Sequence, residues 1–187
     1  GHFLPTVDPI HKVSIIPRGQ AGGYTLALPL EDKNYATRTE LTENIVFLLG
    51  GRAAEAIALK EISTGARNDL ERATKLVRTM IMEYGMSDEL GPMTFGHGHG
   101  EQVFLGRDIS RDKNYSEQVA SAIDREMKTL IEQAYKRAEE IINTHREELN
   151  SITDALLEKE TLEAADFMKL LASFTEQPNE EGEEKIG

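Results

Sequence analysis

Apolar positions along the chain recur with two different periods. Residues 11–16 (His-Lys-Val-Ser-Ile-Ile) and 24–28 (Tyr-Thr-Leu-Ala-Leu) are short and rich in β-formers, are joined by a segment holding Pro17, Gly19, Gly22 and Gly23, and are closed by Pro29. This pattern predicts a strand, a glycine loop and a second strand. From Arg38 onward Leu41, Ile45, Leu48, Leu49, Ala53 and Ile57 fall at helical spacing, as do Leu70, Ala73, Thr74, Val77, Ile81 and Tyr84. Two amphipathic helices over 38–58 and 67–84 are predicted. Val119, Ile123, Leu130, Ala134, Ala138 and Ile141 extend one further helix over 112–145. Two shorter helices over 147–158 and 163–172 follow, with Thr161 and Glu163 supplying helix-start chemistry. The fold class expected is mainly α with a small β-ribbon near the N-terminus.

Composition narrows the classes of function. The 187 residues carry 21 Lys plus Arg against 33 Asp plus Glu, a net charge of −12. Phosphate binding needs clustered basic side chains, so a nucleic-acid partner is not expected. Cysteine is absent, which removes disulfides and thiolate metal sites, leaves His, Asp and Glu as ligands, and fits a reducing compartment. The longest apolar run, Ile45 to Leu49, is far below the roughly 20 residues that span a bilayer, and no secretory signal is visible. Residues 1–175 read as one domain; residues 176–187, with five Glu and one Lys, read as an acidic disordered tail.

Three local features are candidates for chemistry or tight packing. Gly50 and Gly51 interrupt a run of helix formers at about 1 kcal/mol each relative to Ala, which predicts that another backbone packs closely there. Asp69 opens a helix at the flank of its apolar stripe, where it could complement the helix dipole, cap the helix or bind a metal. His97 and His99, separated by one glycine, are imidazoles on a glycine loop with no third ligand nearby in sequence, and read as exposed loop residues. The glycine loop 19–23 lacks the Gly-Lys-Ser/Thr ending of a phosphate-binding loop.

The run Thr64-Gly65-Ala66-Arg67-Asn68-Asp69-Leu70-Glu71-Arg72-Ala73-Thr74 resembles a signature of the peptidase domain of the FtsH family, which are membrane-anchored, ATP-dependent zinc metalloproteases. His11 to Gly19, Gly23-Tyr24-Thr25, Leu49-Gly50-Gly51-Arg52-Ala53-Ala54-Glu55, Gly85-Met86-Ser87, Leu105-Gly106-Arg107 and Leu156 to Leu162 occur in that family's order, so the resemblance covers residues 2–172.

The resemblance implies a helical metallopeptidase domain in which zinc is held by both histidines of an H-E-x-x-H helix and by a downstream aspartate, matched here by Asp69. No H-E-x-x-H occurs in this sequence, and Gly1-His2-Phe3-Leu4-Pro5 resembles the end of the helix that carries it. A chain truncated in this way, without the ATPase module and membrane anchor, is expected to be inactive and to hold no tight zinc. Ala56 stands where the family leads us to expect a second acid.

For the parent protein the resemblance implies zinc as cofactor, ATP used only through the absent module, and a homohexamer at the cytoplasmic face of the bacterial inner membrane. Its substrates would be unfolded, tagged or membrane proteins, with Gly23, Tyr24 and Thr25 offering a strand edge to the extended peptide. The long helix around 112–145 is expected to carry ring contacts. The rival expectation is a non-catalytic helical oligomerisation or interaction module in which Asp69 is only a helix-start acid.

Overall fold

The computed structural model describes residues 1–19, 22–29, 35–96 and 115–175. Eight elements succeed one another: β1 (Ile10–Ser14), β2 (Tyr24–Ala27), α1 (Arg38–Leu59), α2 (Arg67–Met82), α3 (Glu117–Thr144), α4 (Arg146–Lys159), β3 (Thr161–Glu163) and α5 (Ala164–Thr175). The mainly helical class and the strand-loop-strand start agree with the sequence pattern. The chain divides into two units.

The first unit contains the strands, α4 and α5. Its sheet has the order β2-β1-β3 with both pairings antiparallel, so β1 is central. In β1, Lys12, Val13 and Ser14 face Leu26, Thr25 and Tyr24 on one side and Glu163, Leu162 and Thr161 on the other. The third strand corrects the expected ribbon, because Thr161 and Glu163 pair with β1 before α5 begins at Ala164. Burial of Leu162, at 0% exposure, and the Lys12–Glu163 ion pair at 2.6 Å anchor a segment too short to show a period of its own. Ser14 is the buried polar residue of β1; its Oγ lies 2.9 Å from Thr161 Oγ1 and accepts from Ile16 N at 3.2 Å.

The second unit is helical and contains α1, α2 and α3 through Glu140. Thr37 caps α1: its hydroxyl accepts from Glu40 N at 3.2 Å while Thr37 N donates to Glu40 Oε2 at 2.7 Å, a reciprocal capping box. Ile45, Val46, Leu48, Leu49 and Ala53 are the buried face of α1, and Ala73, Val77, Met80, Ile81 and Met82 that of α2, which packs on it. The expected close approach at Gly50 and Gly51 does not occur within this unit, since a Cβ at either would meet nothing within 4 Å.

Helix α2 stops at Met82, short of the expected Tyr84. Tyr84 N turns back to Thr79 O and Met86 N to Met80 O, while Gly85, at φ 61°, takes the left-handed conformation that reverses the chain. Tyr84 is left exposed. Likewise Tyr115 and Ser116 precede α3, which starts at Glu117 rather than near 112.

Candidate functional site

Asp69 lies in the first turn of α2, whose N-cap is Ala66. That helix start carries no side-chain cap hydrogen bond, so Asp69 does not cap it. Ala73, one turn on, is fully buried while the Asp69 side chain keeps 46% of its exposure, placing the carboxylate at the border of the core as the spacing predicts. Among the described residues it has one ion-pair partner, Arg72 at 3.9 Å. A long contact of that kind leaves the carboxylate oxygens open to a further ligand.

The link between α1 and α2 is held from the α1 side. Glu55 accepts from Ser63 with both oxygens: Oε1 from the hydroxyl, and Oε2 from the backbone N at 3.0 Å. Arg52 Nη1 donates to Ser63 O at 3.0 Å, and Gly65 N donates to Ser63 Oγ at 3.1 Å. Hydrogen bonds from the Ser63 side chain and backbone hold the Glu55 carboxyl below its usual range. In the sequence Glu55 ends one family motif and Ser63 immediately precedes another, and neither carries a role there; no periodicity reports a contact made across a turn.

A second network was equally hidden. Glu126, buried in α3, accepts from the Ser87 hydroxyl and from Asp88 N at 3.0 Å, and Ser87 Oγ accepts from Leu90 N at 2.8 Å. Arg38, at the start of α1, grips Asp88 with two bonds of 2.7 and 2.6 Å. The visible signal is an acid on the apolar stripe of α3, one turn after Ala122 and Ile123.

In the sheet, β2 is an outer strand, paired only with β1 among the described strands. Tyr24 is half-buried with the Arg18 guanidinium 5.2 Å from its ring centroid, and Thr25 is exposed. Gly23 sits so close to β1 that a Cβ would lie 2.6 Å from Ser14 O. Asp69 belongs to the helical unit and Gly23, Tyr24 and Thr25 to the sheet unit.

Of the histidines, His11 is exposed, and His145 stacks on Phe3 at 3.5 Å between ring centroids while bonding Glu148 Oε1 through Nδ1 at 2.8 Å. His97, His99, the Leu105–Arg107 motif and the acidic stretch 176–187 lie outside the described residues. Among the described residues no group of three His, Asp or Glu side chains could hold a metal ion. A zinc site needs three or four converging protein donors, and among the described residues no such set gathers around Asp69. No helix among the described residues is long and apolar enough to cross a membrane.

These features define a mainly helical chain: one unit presents a helix-start carboxylate with no side-chain cap, and the other carries a small sheet with an outer strand. The model of peptidase family M41 matches residues 1–170, and the chain belongs to that family. An ATP-dependent zinc metalloprotease FtsH 1 of Thermoanaerobacter sp. (strain X514) is 56% identical over 168 residues, covering 90% of this chain and 27% of that protein. The ATP-dependent zinc metalloprotease FtsH of Bacillus subtilis (strain 168) is 49% identical over 171 residues, covering 91% of this chain and 27% of that protein. The chain thus spans just over a quarter of the length of these curated relatives. The resemblance carried by the motifs is that of the FtsH family.

Proposed function

We propose that the chain is the C-terminal peptidase part of an ATP-dependent zinc metalloendopeptidase that degrades unfolded or tagged proteins, and that Asp69 is one of its zinc ligands. The observation that carries this reading is the coincidence of two independent facts. The family match runs through the Asp69 segment, and Asp69 is an open carboxylate at a helix start that it does not cap. Two imidazoles at positions i and i+4 of a helix share one face, so an H-E-x-x-H pair belonging to the same protein would complete three ligands and leave a fourth position free. Bound zinc would supply Lewis-acid activation of water for peptide hydrolysis.

The rest of the reading concerns substrate and assembly. The outer edge of β2 at Gly23, Tyr24 and Thr25 would take an extended peptide by main-chain hydrogen bonds, a mode tolerant of side-chain identity and suited to many substrates. The parent protein would be a membrane-anchored homohexamer whose ATPase module delivers those substrates. With one of three protein ligands and no H-E-x-x-H glutamate, this chain alone would cut nothing and retain no tight zinc.

Asp69→Ala in the full-length protein tests the reading. Casein degradation should be abolished while ATP hydrolysis continues, because the ligand serves the peptidase site alone. Substantial casein degradation by that variant removes Asp69 from the site and favours a role as a helix-start acid.

A further inference from the structure

We propose that Arg18, held over the ring of Tyr24, is a specificity-determining residue that favours carboxylate-bearing peptides at the outer edge of β2. This rests on the reading of that edge as the place where an extended substrate lies. In the antiparallel ladder Ser14 faces Tyr24 and Lys12 faces Leu26, so the Tyr24, Leu26 and Lys12 side chains share one face of the sheet. The central carbon of the Arg18 guanidinium lies 5.2 Å from the Tyr24 ring centroid, within reach of a cation–π contact. Arg18 is thereby stationed beside the first residue of the outer strand.

A guanidinium over a ring engages its flat face and leaves the N–H donors at its edge free for other partners. Arg18 is exposed, and no carboxylate among the described residues pairs with it. Lys12, close enough to feel the Arg18 charge, is already neutralised by Glu163 at 2.6 Å. Arg18 is therefore the open cation of this group, and the ring limits where it can swing. A donor fork stationed in advance loses less freedom when a carboxylate arrives. The net charge of −12 repels acidic peptides from the molecule as a whole, so a preference for one at this edge needs a local cation. Main-chain bonding along β2 tolerates any side chain, and Arg18 adds one rule to it: a carboxylate beside Tyr24, from Asp, Glu or a free chain end.

The test uses the full-length protease and a set of peptides of one apolar sequence, amidated at the C-terminus, in which Glu, Gln or Lys is moved one position at a time. A further peptide carries the Gln sequence with a free terminal carboxylate. KM and kcat are measured for the wild type, Arg18→Gln, Arg18→Glu and Arg18→Lys, with the unfolding midpoint as control. In the wild type a carboxylate at one position should lower KM by about threefold to tenfold against its neutral counterpart, and added salt should shrink that gain. Whichever of internal Glu and the free terminus shows the gain identifies the source of the carboxylate. Arg18→Gln should erase the difference, and Arg18→Glu should transfer it to Lys at the same position. Arg18→Lys, which keeps the charge and loses the fork, should retain only part of it.

Equal KM values for charged and neutral peptides in the wild type overturn the inference, as does a preference that survives Arg18→Gln. If the Arg18 variants do not fold, Tyr24→Leu decides, because it removes the ring face under the guanidinium: the gain should fall, and an undiminished gain overturns the inference. Amide exchange at Tyr24 and Thr25 is followed with non-hydrolysable Glu and Gln peptides bound. If neither peptide slows it, the reading of β2 as the substrate edge fails. If both slow it and the two bind alike, only the Arg18 inference fails.

Discussion

At the scale of single residues, the tightest constraint is at Gly23. A methyl group there would push against Ser14 O and lie 3.2 Å from Ile15 Cα, both backbone atoms that cannot swing away. Gly23→Ala should therefore loosen the start of β2 against β1, read as faster amide exchange at Tyr24 and Thr25 and a lower unfolding midpoint. A second prediction concerns Glu126. Removing its carboxylate in Glu126→Ala leaves the Ser87 hydroxyl and Asp88 N unpaired, at an expected cost of about 1–3 kcal/mol measurable by denaturant titration. Asp88 gives a pH dependence. Its hydrogen bonds from Arg38 hold its carboxyl below the ordinary value of 3.8, so the stability it contributes is present above that range and is lost as pH falls through the lowered folded value. Asp88→Asn should flatten the acid limb of the midpoint-against-pH curve below about pH 4 and leave its shape at neutral pH unchanged.

At the scale of elements, α1 carries a testable weakness. Gly50 and Gly51 sit in the interior of a 22-residue helix with open space where their Cβ atoms would be. Gly50→Ala and Gly51→Ala should each stabilise this chain by about 0.5–1 kcal/mol, from reduced backbone freedom in the unfolded state. If the same changes impair the full-length protein, the space is filled there by a segment outside this sequence. The helices were legible because each buries a stripe long enough to establish a period: 45, 49 and 53 in α1, and 73, 77 and 81 in α2. Strand β3 was not, because the side chains of Thr161, Leu162 and Glu163 read equally well as the start of a helix. Pairing with β1, 147 residues away at Ser14 and Thr161, chose between them.

At the scale of the whole protein, the expectation is assembly. If α3 and its neighbouring surfaces carry ring contacts, sedimentation of this chain at high concentration should show species heavier than a monomer, against the self-repulsion of its −12 charge. Monomer alone at all concentrations places those contacts elsewhere in the parent. Apolar periodicity, composition and motif order determined by themselves the mainly helical class, the acidic character and the family, because these depend on residue identity and short-range spacing; it is the resemblance to that family that singles out Asp69 as the candidate ligand. Tertiary structure alone decided that Asp69 stands open and uncapped, that Glu55 and Arg52 hold the turn before it, that Glu126 closes a buried network, and that β1 is flanked on both sides. The last three of those facts are contacts between segments far apart in the chain or across a turn, which leave no periodic trace for a sequence pattern to reveal, and the openness of Asp69 depends on which groups the fold brings near it.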